Sequence, residues 1–304
     1  LASEGFQDQL ANELKGIQSQ HGRLIVTDRL PEHSPFWAQN CWRNPIVIPI
    51  QSISDAAQQL KSLQRNWSLY SFHLHRRGQL IQEQLPYVSA KPLQFPTRLP
   101  QSPLGSWTLL DRETLLAASD CSSAFPNGAI RFVEDKTNPP NRAYLKLWEA
   151  LSMVQHYPQA GQFSVDVGAS PGGWTWVLAT LGAEVLSIDR SLLDESVSAM
   201  PGVFFQKGDA FSLTPETFKE SRGHIDWLFS DLVCYPEKLF DWVMMWVESG
   251  ICHNFICTLK FQGDRDYQIA QKFAAIPHSQ VRHLYHNKHE LTWIKLKAWE
   301  TIPE

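Results

Sequence analysis

The chain has 304 residues, with 27 Lys+Arg against 31 Asp+Glu for a formal charge of −4; it is 43% hydrophobic and 19% charged. That apolar share excludes a disordered chain, the lack of any apolar run near ~20 residues excludes a helical membrane span, and the slight acidity speaks against a general nucleic-acid coat. The length exceeds one domain of roughly 100–200 residues and predicts two. No basic, apolar and small-residue pattern opens the sequence, so secretion is not expected. Cys41, Cys121, Cys234, Cys252 and Cys257 are scattered and odd in number, which predicts reduced thiols in a cytoplasmic protein.

Phe6, Leu10, Leu14 and Ile17 recur at helical spacing, as do Ile53, Ala56, Ala57, Leu60 and Leu63. Arg23–Thr27, Ile46–Ile50 and the alternating run Trp67–His75 read as strands, giving a small α+β platform. Pro86, Pro92, Pro96, Pro100 and Pro103 then predict an extended segment, neither helix nor central strand. Ser106–Leu110 and Thr114–Ala118 read as strands, and Pro126-Asn-Gly128 as a turn. The expected domains are therefore 1–103, an N-terminal α+β platform with a Pro-rich linker, a small β unit at 104–135, and a third domain at 136–304.

From 141 the pattern becomes regular. Short apolar runs at Phe163–Ala169, Glu184–Asp189, Val203–Gln206, Trp227–Asp231 and Phe255–Phe261 alternate with helices at Arg142–Gln155, Trp174–Leu181, Pro236–Ser249 and Asp264–Ala275. Buried strands alternating with helices predict an α/β, Rossmann-like doubly wound parallel sheet, with Glu290–Lys297 as an edge strand.

Val165 to Trp174 runs an apolar strand into a glycine-bearing turn and then a helix. Gly168, Gly172 and Gly173 let backbone approach a ligand, and the helix N-terminus offers free N–H groups to a carboxylate or phosphate. Asp189 ends the next strand 21 residues after Gly168, where a carboxylate accepts both hydroxyls of a ribose. Asp209, after the third strand, is placed for an adenine amino group. The turn matches neither G-x-G-x-x-G nor a Gly-Lys-Ser/Thr phosphate loop, which favours S-adenosylmethionine over NAD or ATP.

Asp166-Val-Gly-Ala-Ser-Pro-Gly-Gly-Trp-Thr175 resembles the adenosylmethionine motif of the FtsJ-type RNA ribose 2′-O-methyltransferases, and is most similar to the RlmM branch, which acts on a cytidine of 23S ribosomal RNA. The resemblance covers roughly 136–297. It implies donor contacts from Gly168, Ser170, Pro171, Gly172, Gly173, Trp174, Asp189, Asp209 and Asp231. Two positions depart from that branch: Ala143 stands where a serine contacts the donor, so that contact is not carried over, and Ser170 replaces a cysteine.

A ribose hydroxyl must lose its proton as it attacks the donor methyl, and a lysine accepts that proton only when neutral. Four residues suit the task. Lys146 lies on the first helix of this half, about a quarter-turn from its Leu147/Leu151/Val154 face and so on the rim. Asp231 and Lys260 end two strands whose C-terminal ends share one rim, and Glu290 opens the last strand. The order Lys…Asp…Lys…Glu resembles the family tetrad, as do the local contexts Arg142–Leu147, Phe229–Leu232 and Leu259–Gly263. The resemblance implies Lys260 as proton acceptor, Lys146 depressing its pKa and holding substrate, Asp231 orienting Lys260 and lining the donor site, and Glu290 positioning Lys146 or the ribose. A small-molecule methyltransferase and a non-catalytic RNA-binding protein that kept the fold are the alternatives.

His283, His286 and His289 with Cys252, His253 and Cys257 lack a four-ligand zinc pattern, so no metal is expected. The 283–289 loop reads equally as RNA-facing or solvated, as does the basic cluster His73–Arg77 with Lys91. Tryptophans such as Trp148 and Trp227 read as core. Residues 1–10 look like the opening of the RlmM branch, and the N-terminal half loosely resembles its RNA-binding THUMP region. RNA is the expected partner, with no membrane and a monomeric chain. The acidic total then reflects carboxylates committed to the donor and catalytic sites, while the basic groups that matter are local: Arg76, Arg77, Lys146, Lys260 and Lys288.

Overall fold

The computed structural model describes residues 1–29, 33–261 and 266–301, the side chains at 266, 267, 300 and 301 excepted. The chain divides into two compact units, Leu1–Val133 and Glu134–Glu304. None of the described helices is long and apolar enough to cross a membrane.

In the first unit a four-stranded sheet runs in the order Ile46–Pro49, Thr114–Ala118, Gly105–Leu109, Trp67–Leu69. The first three strands are antiparallel neighbours and the last pairs in parallel. The segment at 104–135, expected as a unit of its own, thus supplies two strands to a sheet begun at 46–69. Leu60, Trp67, Ile81, Trp107 and Leu115 fill the core beneath it. Ser52 caps the helix Ile53–Leu63 by accepting from the Asp55 N–H at 3.0 Å.

Two expected elements of this unit are corrected. The first helix stops at Glu13, with Leu14 already extended at ψ 149°; the chain turns at Gly16, φ +68°, and Ile17 instead opens a strand, Ile17–His21, that pairs with Leu24–Thr27. The strand expected over Trp67–His75 ends at Leu69; Leu74 takes φ +49°, which an extended run cannot include, and the helix His75–Gln82 follows.

The second unit is a seven-stranded sheet with helices. In chain order its strands are β1 Phe163–Val167, β2 Glu184–Asp189, β3 Val203–Lys207, β4 Ile225–Ser230, β5 Cys252–Lys260, β6 Ser279–Arg282 and β7 Glu290–Lys295. Its main helices are α1 Tyr144–Val154, α2 Gly173–Thr180, α3 Pro236–Ser249 and α4 Asp266–Ala274. Positions 264–265, expected to begin the last of these, lie outside the described residues. The spatial order is β3-β2-β1-β4-β5-β7-β6. β1 to β5 pair in parallel, while β7 runs antiparallel to both β5 and β6. The Rossmann-like doubly wound α/β reading therefore holds. Chain order reverses between β1 and β4, and a crevice opens at such a switch point beyond the strand C-termini.

Glu290–Lys295 is not the expected edge strand. All six of its residues are buried, between β5 and β6. The edge is Ser279–Arg282, a segment too short and polar to stand out by its pattern. The central parallel strands β1, β4 and β5 are as apolar as burial on both faces requires: Val165, Val167, Trp227, Leu228, Phe229, Phe255 and Ile256 are each 0% exposed. Trp148 and Trp227 are buried, as their positions predicted.

Candidate active site

β1 delivers the chain into the turn at Gly168, which takes φ +74°. A Cβ there would sit 3.0 Å from the main-chain N and Cα of Leu232, the residue after Asp231, so glycine is what lets the two turns meet. Asp189 fastens the same turn to the end of β2: its carboxylate accepts from the Ser170 N–H at 3.1 Å and the Ser191 N–H at 2.8 Å. The Ser170 hydroxyl donates to the Leu192 carbonyl at 2.9 Å. Pro171 follows, and Gly172, at φ +121°, precedes α2. A Cβ on Gly173 would collide with the Asn141 side-chain oxygen. Trp174 is buried, and its indole N–H donates to the Ala143 carbonyl at 2.9 Å, tying α2 to the start of α1. Ala143 thus contributes through its main-chain carbonyl.

Asp209 stands apart from this group. Its carboxylate accepts from Arg190 and, at 3.1 Å, from the Phe211 N–H; the Arg190 hydrogen bond is the main reason its carboxyl lies below the usual range.

Behind the turn, Asp166 is fully buried in β1. One of its oxygens accepts from Thr175 at 2.7 Å and the other has no partner. Burial pushes its carboxyl up to about 7, the nearby charges of Asp231 and Asp189 add to this, and the Thr175 hydrogen bond opposes it. A carboxyl raised on folding keeps more protons in the folded state, so its contribution to stability declines as pH rises from the unfolded value, about 4, to about 7. Asp166→Asn is expected to gain on the wild type over that range by up to roughly 4 kcal/mol, with no gain at pH 4. Thermal unfolding of both proteins from pH 4 to pH 8 checks this, and a constant difference across the range contradicts it.

The four residues expected to act together do converge. Lys146, on α1, donates to both carboxylate oxygens of Asp231 at 2.9 Å, and its ammonium lies 3.0 Å from Glu290 Oε1. Lys260 donates to the main-chain carbonyl of Asp231 at 2.8 Å and lies 3.0 Å from Asp231 Oδ1. The sheet sets this up: Asp231 follows β4, and the β5–β7 register sets Lys260 opposite Glu290. Lys146 also lies 6.0 Å from the Trp174 ring, which joins the cluster to the glycine turn. Lys146 is buried rather than on the rim, at 8% exposure, because two carboxylates compensate its charge. Burial pulls its ammonium down, but Asp231 and Glu290 together hold it above the ordinary lysine value. For Asp231 burial pushes up, and Lys146 and Lys260 outweigh it, leaving the carboxyl below its ordinary value.

Residues 139–247 match the sequence model of the FtsJ-like methyltransferase family. The chain carries an FtsJ-like methyltransferase domain. Among curated relatives, the ribosomal RNA large subunit methyltransferase M of Thauera aminoaromatica is 33% identical over 56% of this chain and 49% of its own length. That of Halorhodospira halophila is 34% identical over 55% of this chain and 50% of its own. The chain spans about half the length of the curated relatives it matches. Among solved structures, one described as a ribosomal RNA methyltransferase from Plasmodium falciparum is 17% identical, covering 51% of this chain and 96% of its own with a TM-score of 0.40, too loose a likeness to bear on function.

Sequence reasoning missed several groups around this site. Thr258 donates to Asp231 Oδ1 at 2.7 Å. It lies two residues before Lys260 on β5, on the same face of the strand, and that period was the available signal. Arg190, the partner of Asp209, follows Asp189 directly. Glu149, one turn beyond Lys146 on α1, takes its partners from residues 285 and 286, over a sequence distance that no local pattern signals. No three His, Cys, Asp or Glu among the described residues gather so as to hold a metal. His283 is buried with its Nε2 3.0 Å from the Lys288 carbonyl, while Lys288 and His289 are exposed. Cys257 is buried in β5, and burial pushes its thiol well above the ordinary value.

Proposed function

We propose that this chain is an S-adenosylmethionine-dependent RNA ribose 2′-O-methyltransferase acting on a cytidine of large-subunit ribosomal RNA. The observation that carries the reading is the closed Lys146–Asp231–Lys260–Glu290 cluster beside a glycine turn at the sheet's switch point. Against a metabolite methyltransferase, the lysine-rich cluster suits a ribose hydroxyl, which must lose its proton as it attacks.

The glycine turn fits such a donor. No Cβ fills the cradle at Gly168 and Gly172, and α2 begins directly behind it. Gly168, Ser170, Pro171, Gly172, Gly173 and Trp174 would hold the donor along its backbone side, with Asp231 lining the far wall. Asp189 already accepts two N–H groups, but an ionised carboxylate has about four lone-pair sites and keeps capacity for ribose hydroxyls. Asp209 would take the adenine amino group beside Arg190. When bound, the donor supplies an electrophilic methyl on a sulfonium.

The remaining work is to place a hydroxyl and take its proton. Lys146, held protonated between two carboxylates, is unsuited to accept a proton and serves as a fixed cation toward the substrate oxygen. Asp231, held ionised, is a weak base and instead orients both lysines. The acceptor role falls to Lys260, whose amine, once its own ammonium proton has passed to solvent, takes the 2′-hydroxyl proton as the oxygen attacks the methyl. Glu290 positions Lys146. The N-terminal unit, as an RNA-binding platform, selects the substrate, with the chain acting as a monomer in the cytoplasm.

Mapping 2′-O-methyl sites on ribosomal RNA with and without the gene tests the reading. One large-subunit cytidine is expected to lose its methyl in the deleted strain. An unchanged map, together with transfer to a metabolite by the purified protein, overturns it.

A further inference from the structure

Glu149 is a buried carboxylate outside the tetrad, 3% exposed, three residues beyond Lys146 on α1. At that spacing the two side chains are neighbours on the helix surface. A buried carboxylate without partners is strongly unfavourable. One loop supplies partners: Glu149 accepts from the Tyr285 N–H at 2.8 Å and the His286 N–H at 2.9 Å, and its Oε2 lies 2.7 Å from His286 Nδ1.

That loop leads straight into β7. The Asn287 N–H donates to the Leu284 carbonyl at 3.1 Å, closing a turn. The Asn287 side-chain amide donates at 3.0 Å to the Glu290 carbonyl and at 3.0 Å to the Thr292 hydroxyl. Glu290 then reaches back to Lys146 on the helix where the path began. Glu149, the 285–287 turn, Glu290 and Lys146 form a closed ring, and α1 grips the start of β7 at two points. One grip is ionic, through Lys146; the other runs through main-chain N–H groups.

We infer that Glu149 is a positioning residue of the tetrad: by docking the 285–287 turn on α1 it fixes where Glu290 meets Lys146. The inference rests on the methyltransferase reading above for its kinetic consequence, not for its structural one. The same turn carries Tyr285, and beyond it Lys288 and His289 are exposed, so a substrate strand bearing on this loop would act on Glu290 through the same ring.

The test is a double-mutant cycle on the full chain. Glu149→Gln puts an amide N–H where an acceptor is needed. With RNA and donor both saturating, turnover is expected to fall about tenfold or more, since small displacements of catalytic groups are that costly. Donor affinity by titration calorimetry is expected to stay unchanged. Glu290→Gln is expected to lower turnover as well, and the double variant to fall no further than the worse single one, because members of one network are not additive. His286→Ala, which keeps both main-chain donors, is expected to give a smaller fall in the same direction and serves if Glu149→Gln does not fold. Losses that multiply in the double variant, or unchanged turnover in Glu149→Gln, overturn the inference. Amide exchange supplies the readout independent of activity: residues 285–287 and 290–292 are expected to exchange faster in Glu149→Gln, and unchanged protection there overturns the inference. A wild-type chain that transfers no methyl to RNA overturns the proposed function instead, and the exchange result then decides the role of Glu149 alone.

Discussion

Lys260→Ala is expected to lower methyl transfer to RNA by about 10³-fold, within the range a positioned general base supplies, while donor binding survives. The reason lies in what each neighbour is already doing. Lys146 is held protonated by Asp231 and Glu290, and Asp231 is held ionised by Lys146 and Lys260, so neither takes over as acceptor. The turn residues that would hold the donor belong to β1, α2 and the end of β2, and none hydrogen-bonds to Lys260 in the geometry described above. Lys260→Arg separates two explanations of the loss. Arginine keeps the positive charge but does not give up its proton, so a base leaves Lys260→Arg as inactive as the alanine variant, whereas a purely electrostatic role leaves it substantially active. Single-turnover transfer to RNA measures both, and an active Lys260→Arg removes Lys260 as the proton acceptor.

The parts of this site that were legible from sequence are those set by local pattern. Apolar runs with a period suited to burial on both faces marked β1, β2 and β4, and the glycine turn marked the crevice because only glycine admits φ +74° with Leu232 packed against it. Asp231 and Lys260 were placed by one rule, that the ends of parallel strands share a rim. What stayed hidden was set by distant partners. The burial of Lys146 follows from two carboxylates at positions 231 and 290, which no helical wheel contains. The interior position of β7 depends on β6, whose Ser279-Gln-Val-Arg282 carries too little apolar signal to be read as the edge. The three-residue strand at Trp67 was overread because the alternation continues past Leu69, while the backbone turns at Leu74. The acidic net charge misdirects for a related reason: composition counts carboxylates without telling which are consumed inside the protein, as Asp166, Asp231, Glu149 and Glu290 are.

Asp231→Asn is expected to cost both stability and activity, about 3 kcal/mol and at least about 10²-fold respectively. The wild-type carboxylate receives Lys146 on both oxygens, with Lys260 and Thr258 also on Oδ1. An asparagine offers one acceptor oxygen and one amide nitrogen, and that nitrogen must face an ammonium or the threonine hydroxyl. Buried Lys146 is then left with Glu290 at 3.0 Å, and half-buried Lys260 with the main-chain carbonyl at 231. Breaking a buried pair from one side costs more than the pair itself contributes, since the surviving charge stays desolvated. The pH dependence fixes the sign. Asp231 has its carboxyl lowered on folding, so its contribution is fully present above the unfolded value, about 3.9, and is lost as pH falls through the lower folded value. Lys146 has its ammonium raised, so its contribution is present below the unfolded value, about 10.4, and is lost as pH rises through the folded one. Because the Asp231 charge also helps raise the Asp166 carboxyl, the comparison is made in an Asp166→Asn background, where the gap in unfolding free energy opened by Asp231→Asn is expected to stay level from about pH 5 to pH 9 and to close only in stronger acid or base. Denaturant unfolding across that range measures it; a gap that opens or closes near neutrality means that Asp231 does not carry the charge that holds the two lysines.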